Sequence, residues 1–177
     1  MCSSDLTDNV DKPTVTSVSS TTVEEGQDAT VTVSLSNTST SITKIWLDAY
    51  NGSAIGGGAD HHETLYVNFG NGWQDLGSFI SGKWVDVPAH TSSFDVKVGT
   101  VNDTVYEGTE SFTLRANAEG QAQVTGTVTI TDIVDKPTVT SVSSTTVEEG
   151  QDATVTVSLS NTSDRKSTRL NSSHQII

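Results

Sequence analysis

Residues 10–39 read VDKPTVTSVSSTTVEEGQDATVTVSLSNTS. Near the middle, Glu24-Glu25-Gly26-Gln27-Asp28 is a polar turn. After it Ala29, Val31, Val33 and Leu35 alternate with Thr30, Thr32 and Ser34, the period of a strand with one buried face. Before it, Pro13–Ser19 is a Thr/Val/Ser run that predicts an edge strand, with the proline confined to its start. The same thirty letters return unchanged at residues 134–163, an offset of 124, and Thr7-Asp8 is matched by Thr131-Asp132. Folding does not require such identity, because sandwich cores tolerate many hydrophobic substitutions. It marks a recent duplication in a tandem array. The chain therefore reads as the end of a preceding linker (7–10), a complete repeat (11–134) and the truncated start of the next (135–163).

The two ends break this pattern. The tail Asp164-Arg-Lys-Ser-Thr-Arg-Leu-Asn-Ser-Ser-His174 is basic in an acidic chain. Back-translated, it matches a common sequencing adapter, and Met1-Cys-Ser-Ser-Asp-Leu6 fits that adapter's reverse complement. Residues 1–6 and 164–177 are accordingly read as adapter-derived scars and kept out of the fold argument. The whole chain has 9 Lys+Arg and 22 Asp+Glu. Without Arg165, Lys166, Arg169, Asp5 and Asp164 the balance is 6 to 20, a net charge of −14. Such acidity argues against nucleic acid, whose binding needs a basic face. It suits solubility, or carboxylates that await a divalent cation. The single cysteine, Cys2, lies in the head scar, so no disulfide staples the module.

Downstream, Ile45, Leu47 and Ala49 alternate with Trp46, Asp48 and Tyr50, and Leu65, Val67 and Phe69 form a third set. Trp73–Val87 is less regular and reads as a hairpin. Phe94/Val96/Val98, Phe112/Leu114/Ala116 and Val124/Val128/Ile130 complete the series, with Gly126 suggesting a bulge. About seven strands at these turn intervals predict an all-β, immunoglobulin-like Greek-key β-sandwich.

The acidic residues fall in turns. Glu24-Glu25 lies in one, Asp60 after Gly56-Gly57-Gly58, Asp103 and Glu107 in a third, and Asp132 and Asp135 at the exit. A Greek key can gather these loops at one end, where calcium, taking about 6–8 oxygens, relieves the repulsion between carboxylates. The alternative is that each carboxylate is solvated separately.

Val23-x-Glu25-Gly26, the glycine loop ending in Ala59-Asp60, Asn102-Asp103-Thr-Val-Tyr-Glu107-Gly108-Thr-Glu110-Ser-Phe112, and Thr127-Val-Thr-Ile-Thr-Asp132 occur in order over nearly the whole module. Together they resemble a Calx-beta-type domain. The set is still more similar to the immunoglobulin-like repeats of giant bacterial RTX-type adhesins exported by type I secretion. The resemblance implies calcium at one end of the sandwich, with Glu25, Asp60, Asp103, Glu107 and Asp132 as ligands and Asp135 added from the linker. Asn102-Asp103-Thr104 and Asp132-Ile133-Val134 stand where calcium-binding Calx-beta domains carry acidic runs, which implies fewer ions or weaker binding.

His61-His62-Glu63 invites a catalytic or transition-metal reading. Neighbouring strand residues point to opposite faces, however, so the two histidines do not share an ion, and the triplet reads as the polar start of a strand. No Gly-x-Ser-x-Gly elbow occurs, and Gly56-Gly57-Gly58 lacks the Gly-Lys-Ser/Thr ending of a phosphate loop. Trp46, Trp73, Trp84 and Tyr50 either form a sugar-stacking platform or pack under the middle hairpin. The expected function is that of a non-enzymatic spacer repeat in a bacterial surface adhesin, extracellular, stiffened by calcium and supporting adhesion and biofilm formation. The alternative is a glycan- or protein-binding module using the Trp/Tyr face. Expected partners are neighbouring repeats, calcium and, through other domains, glycans or host ligands, with neither nucleic acid nor membrane insertion by this segment.

Overall fold

The structure is a computed structural model that describes residues 12–79 and 81–162. The proposed scars and the residues 7–10 lie outside them. The described chain falls into two units, residues 12–102 with 110–131, and residues 103–109 with 132–162.

The first unit contains β1 (Val15–Val18), β2 (Thr21–Glu24), β3 (Asp28–Leu35), β4 (Thr43–Asn51) and β5 (His61–Asn68). It continues with β6 (Trp73–Ser78), β7 (Lys83–Val87), β8 (Ser93–Thr100), β9 (Glu110–Ala118) and β10 (Val124–Thr131). They form two five-stranded sheets, ordered β1-β3-β8-β5-β6 and β2-β10-β9-β4-β7. The period-two residues do what their spacing dictates. Ala29, Val31, Val33 and Leu35 from the first sheet and Ile45, Leu47, Phe112 and Leu114 from the second are buried in one core.

There are ten strands in this unit rather than about seven, and two stretches run differently from the sequence reading. The first, the Pro13–Ser19 run, does not end as a lone edge strand. β1 pairs antiparallel with β3, then the chain crosses at Ser19-Ser20 and β2 pairs parallel with β10 in the other sheet. Gly126 is the partner of that crossing and not a bulge. Its pairing with Leu114 is regular, and a Cβ there would lie 2.3 Å from the Ser19 carbonyl oxygen.

The second, Trp73–Val87, is not a hairpin. β6 pairs with β5 in the first sheet and β7 with β4 in the second. Between them Phe79 is drawn into the core and Gly82 N–H donates to its carbonyl, so the chain crosses between sheets there. Alternation identifies strands but not the sheet that receives them, and burying an aromatic at the crossing outweighs local pairing.

The second unit holds β11 (Val139–Val142) and β12 (Val157–Leu159), paired antiparallel. Within the described residues of this unit, β11 and β12 form a two-stranded sheet. Among the described residues no helix is long and apolar enough to cross a membrane.

Candidate metal centre

Within the first unit the loops gather at one end, as a Greek key allows. Glu25 N–H donates to the Thr131 carbonyl at the end of β10. Thr100, ending β8, donates its N–H to the Gln27 carbonyl and its hydroxyl to the Gln27 and Glu24 carbonyls. Val101 N–H then donates to the Asp60 carbonyl. The Glu24–Asp28 turn, the start of β5 and the exits of β8 and β10 are one hydrogen-bonded rim. Glu25 is buried in it.

Asp60 is fixed by its own loop. Its N–H donates to the Ile55 carbonyl, and its Oδ2 accepts the Ile55 N–H at 2.6 Å. A carboxylate oxygen of Asp60 lies within 4.8 Å of one from Glu110, the first residue of β9, and both residues are half-buried. His61 and Phe112 hold this pair together. Asp60 precedes His61 by one residue and Glu110 precedes Phe112 by two, and the two rings stack across the sheets at 4.3 Å.

The triplet does open β5, and its first residue, His61, is a core residue. It is only 1% exposed, and its Nε2 lies 3.3 Å from Asn51 Oδ1 and its Nδ1 3.1 Å from the His62 carbonyl. Burial lowers its pKa below the usual 6.5, against a smaller upward pull from the hydrogen bond to His62 and the charges of Asp60 and Glu63. His62 is exposed on the opposite face, as the alternation requires.

The remaining sequence-derived ligands belong to the second unit. Asp103 is exposed, and its Oδ1 accepts the Val105 N–H at 2.7 Å, which folds the loop on itself. Asp132 holds that loop. Its Oδ2 accepts the N–H groups of Glu107 and Gly108, and its Oδ1 accepts Val134 N–H from the linker. Its carboxylate thereby does the work of a cap. Asp135 is exposed, and its main-chain carbonyl accepts a hydrogen bond from the Asn161 side chain.

Sequence reasoning passed over Glu110 as a ligand. The signal was present in Glu107-Gly-Thr-Glu110, whose second acid opens a strand. Strand acids read as solvent-facing, and only the packing of His61 on Phe112 reveals its neighbour.

The four aromatics divide between the two outer faces. Trp46 meets Trp84 edge-on at 5.3 Å on the second sheet, where Tyr50 lies under the Arg115 guanidinium and Arg115 pairs with Asp48. Trp73 lies on the first sheet, 5.0 Å from Lys97 Nζ. They neither make one platform nor pack under a hairpin.

Two five-stranded sheets over a common core define an all-β, immunoglobulin-like sandwich. No family model matches the chain, and no curated protein matches it in sequence. Among solved structures it is similar to CBD12 from CALX1.2, at TM-score 0.48 and 18% identity over 66% of this chain and 44% of that one. It is also similar to the apo-form Calx CBD1 domain, at TM-score 0.45 and 19% identity over 63% of this chain and 88% of that one. The chain spans less than half the length of the first.

Proposed function

We propose that this module is a spacer repeat in the stalk of a large bacterial surface adhesin, secreted by the type I route and stiffened by calcium. In this reading it supports adhesion and biofilm formation by holding a terminal binding domain away from the cell. The observation that supports it is the unaltered second copy. A chain that repeats thirty residues unaltered at an offset of 124, with the β1–β3 register recurring in β11–β12, is suited to repetition. Strands of up to nine residues give each module a length of about 30 Å, so repetition converts directly into reach.

Calcium in this reading rests on Asp60 and Glu110. Two oxygens on one calcium ion, each at about 2.3–2.6 Å, lie no more than about 5 Å apart, which their separation satisfies. When bound, the ion supplies the positive charge that two adjacent carboxylates lack. The chain's own contribution is to hold those carboxylates in place, through the Ile55 N–H on Asp60 and the His61–Phe112 stack. Calorimetric titration tests it. We expect binding in the ~10⁻⁴–10⁻³ M range of extracellular modules, lost in Asp60→Asn and in Glu110→Gln. Unaltered binding in both variants would sink the assignment. Asp103→Asn and Glu107→Gln put the loop acids Asp103 and Glu107 to the same test, and Glu25, Asp132 and Asp135 remain further candidates from the sequence.

A glycan-binding reading has one observation in its favour: Trp84 and Tyr50 are both exposed on the outer face of the second sheet. Glycan-array binding that disappears in Trp84→Ala would establish it, and an array without signal would remove it.

A further inference from the structure

The dipeptide Asn-Gly stands at Asn51-Gly52 and again at Asn71-Gly72. In this dipeptide an asparagine side chain is open to attack by its own backbone, because glycine has no Cβ to shield the attacking nitrogen. The fold gives the two pairs opposite surroundings.

Asn51 ends β4 and lies opposite Phe112 of β9. Its Oδ1 accepts the Gly56 N–H at 3.1 Å and lies 3.3 Å from His61 Nε2. Gly52 is pressed against β9, where a Cβ would lie 2.4 Å from the Ser111 carbonyl oxygen. That carbonyl also accepts the Ala54 N–H, and Ser53 Oγ accepts the Ser111 N–H at 2.9 Å, which closes the loop onto the strand. Neither the Asn51 side chain nor the Gly52 nitrogen moves without opening these contacts.

Asn71 lies in the turn between β5 and β6 and is exposed, as are Gly70 and Gly72. Both glycines have positive φ, 96° and 105°, and a Cβ on either would meet nothing within 4 Å. Asn68 Oδ1 ties the turn by accepting the Gly70 N–H at 2.8 Å and the Gly72 N–H at 3.1 Å. The Asn71 side chain makes no hydrogen bond among the described residues. An exposed turn held in this way opens at little cost.

We propose that Asn71 is a site of spontaneous covalent modification, at which its amide is lost, while the identical pair at Asn51 is protected by the fold. The Gly72 nitrogen gives up its proton to hydroxide and attacks Asn71 Cγ. A carbon–nitrogen bond forms, the side-chain nitrogen leaves as ammonia, and a cyclic succinimide results. Water then opens the ring at either carbonyl. The bond from that carbonyl to the Gly72 nitrogen breaks, the nitrogen regains a proton and the water oxygen enters the new carboxylate. One opening yields aspartate, and the other yields isoaspartate, with a backbone longer by one carbon. The added carbon falls in the turn, outside the β5–β6 register, which ends with Asn68 opposite Trp73.

Incubation of the full chain in mildly alkaline buffer made with heavy-oxygen water, native and in urea, tests this. Cleavage after Glu63 separates the two pairs for mass spectrometry. In the native chain Asn71 is expected to convert to aspartate and isoaspartate that carry the heavy oxygen. Its rate should exceed that of Asn51 by about tenfold or more, because the bond to Gly56 and the strand pairing must open before Asn51 reacts. In urea, where only the shared dipeptide acts, the two rates should converge. Equal rates in the native chain, faster conversion at Asn51, or native conversion at neither site while both convert in urea would overturn the proposal.

Discussion

At the scale of single residues, the buried His61 makes stability depend on pH. Its folded pKa is lowered by burial below the 6.5 of the unfolded chain. The unfolded state therefore binds more protons between those two values, and stability falls as the pH drops through 6.5 toward the folded pKa. We expect the melting temperature in chelator to decrease between about pH 7.5 and about pH 5.5, and this decrease to shrink in His61→Gln. An undiminished decrease in the variant would assign the pH response elsewhere. Asp132 supports a second prediction. Its carboxylate accepts three backbone N–H groups, and hydrogen bonds to charged groups contribute about 1.5–3 kcal/mol each. Asp132→Ala should accelerate amide exchange at Glu107, Gly108 and Val134 and leave the amides of β3 and β8 protected. Uniform acceleration would mean that Asp132 holds the whole fold and not this loop.

Elements show where the sequence stops being informative. Strands β3, β4, β8, β9 and β10 were legible because each buries alternate side chains, and period two is a local property. The partition of β1 from β2 and of β6 from β7 was not, since the choice of sheet is made by non-local contacts: Ser19 against Gly126, and Phe79 in the core. The same limit applies at the site. Asp60 stands out as an acid at the end of a glycine loop, but Glu110 becomes its neighbour only through two rings from opposite sheets. Gly126 carries the prediction for this scale. A methyl group there meets the Ser19 backbone, which has no flexible side chain to move aside. Gly126→Ala should therefore lower stability by about 1–3 kcal/mol in urea unfolding, with β1–β2 displaced. A variant as stable as the wild type would show that the crossing is looser than its geometry.

For the whole molecule, we propose that a sandwich able to fold without metal is tightened by calcium at one end. The core is apolar and continuous between the sheets, so the chelated protein should remain folded. Calcium should add stability in proportion to its binding, by about RT ln(1 + [Ca²⁺]/Kd). In the proposed spacer role this would be an advantage, because an ion bound where the loops converge would leave the strands unchanged. The most direct measurement is thermal unfolding of the full chain in calcium and in chelator, for the wild type and for Asp60→Asn with Glu110→Gln. The account predicts a rise at millimolar calcium that chelator reverses and that the double variant lacks. An equal rise in the double variant would place the ion elsewhere, and no rise in the wild type would contradict the calcium-stiffened module outright.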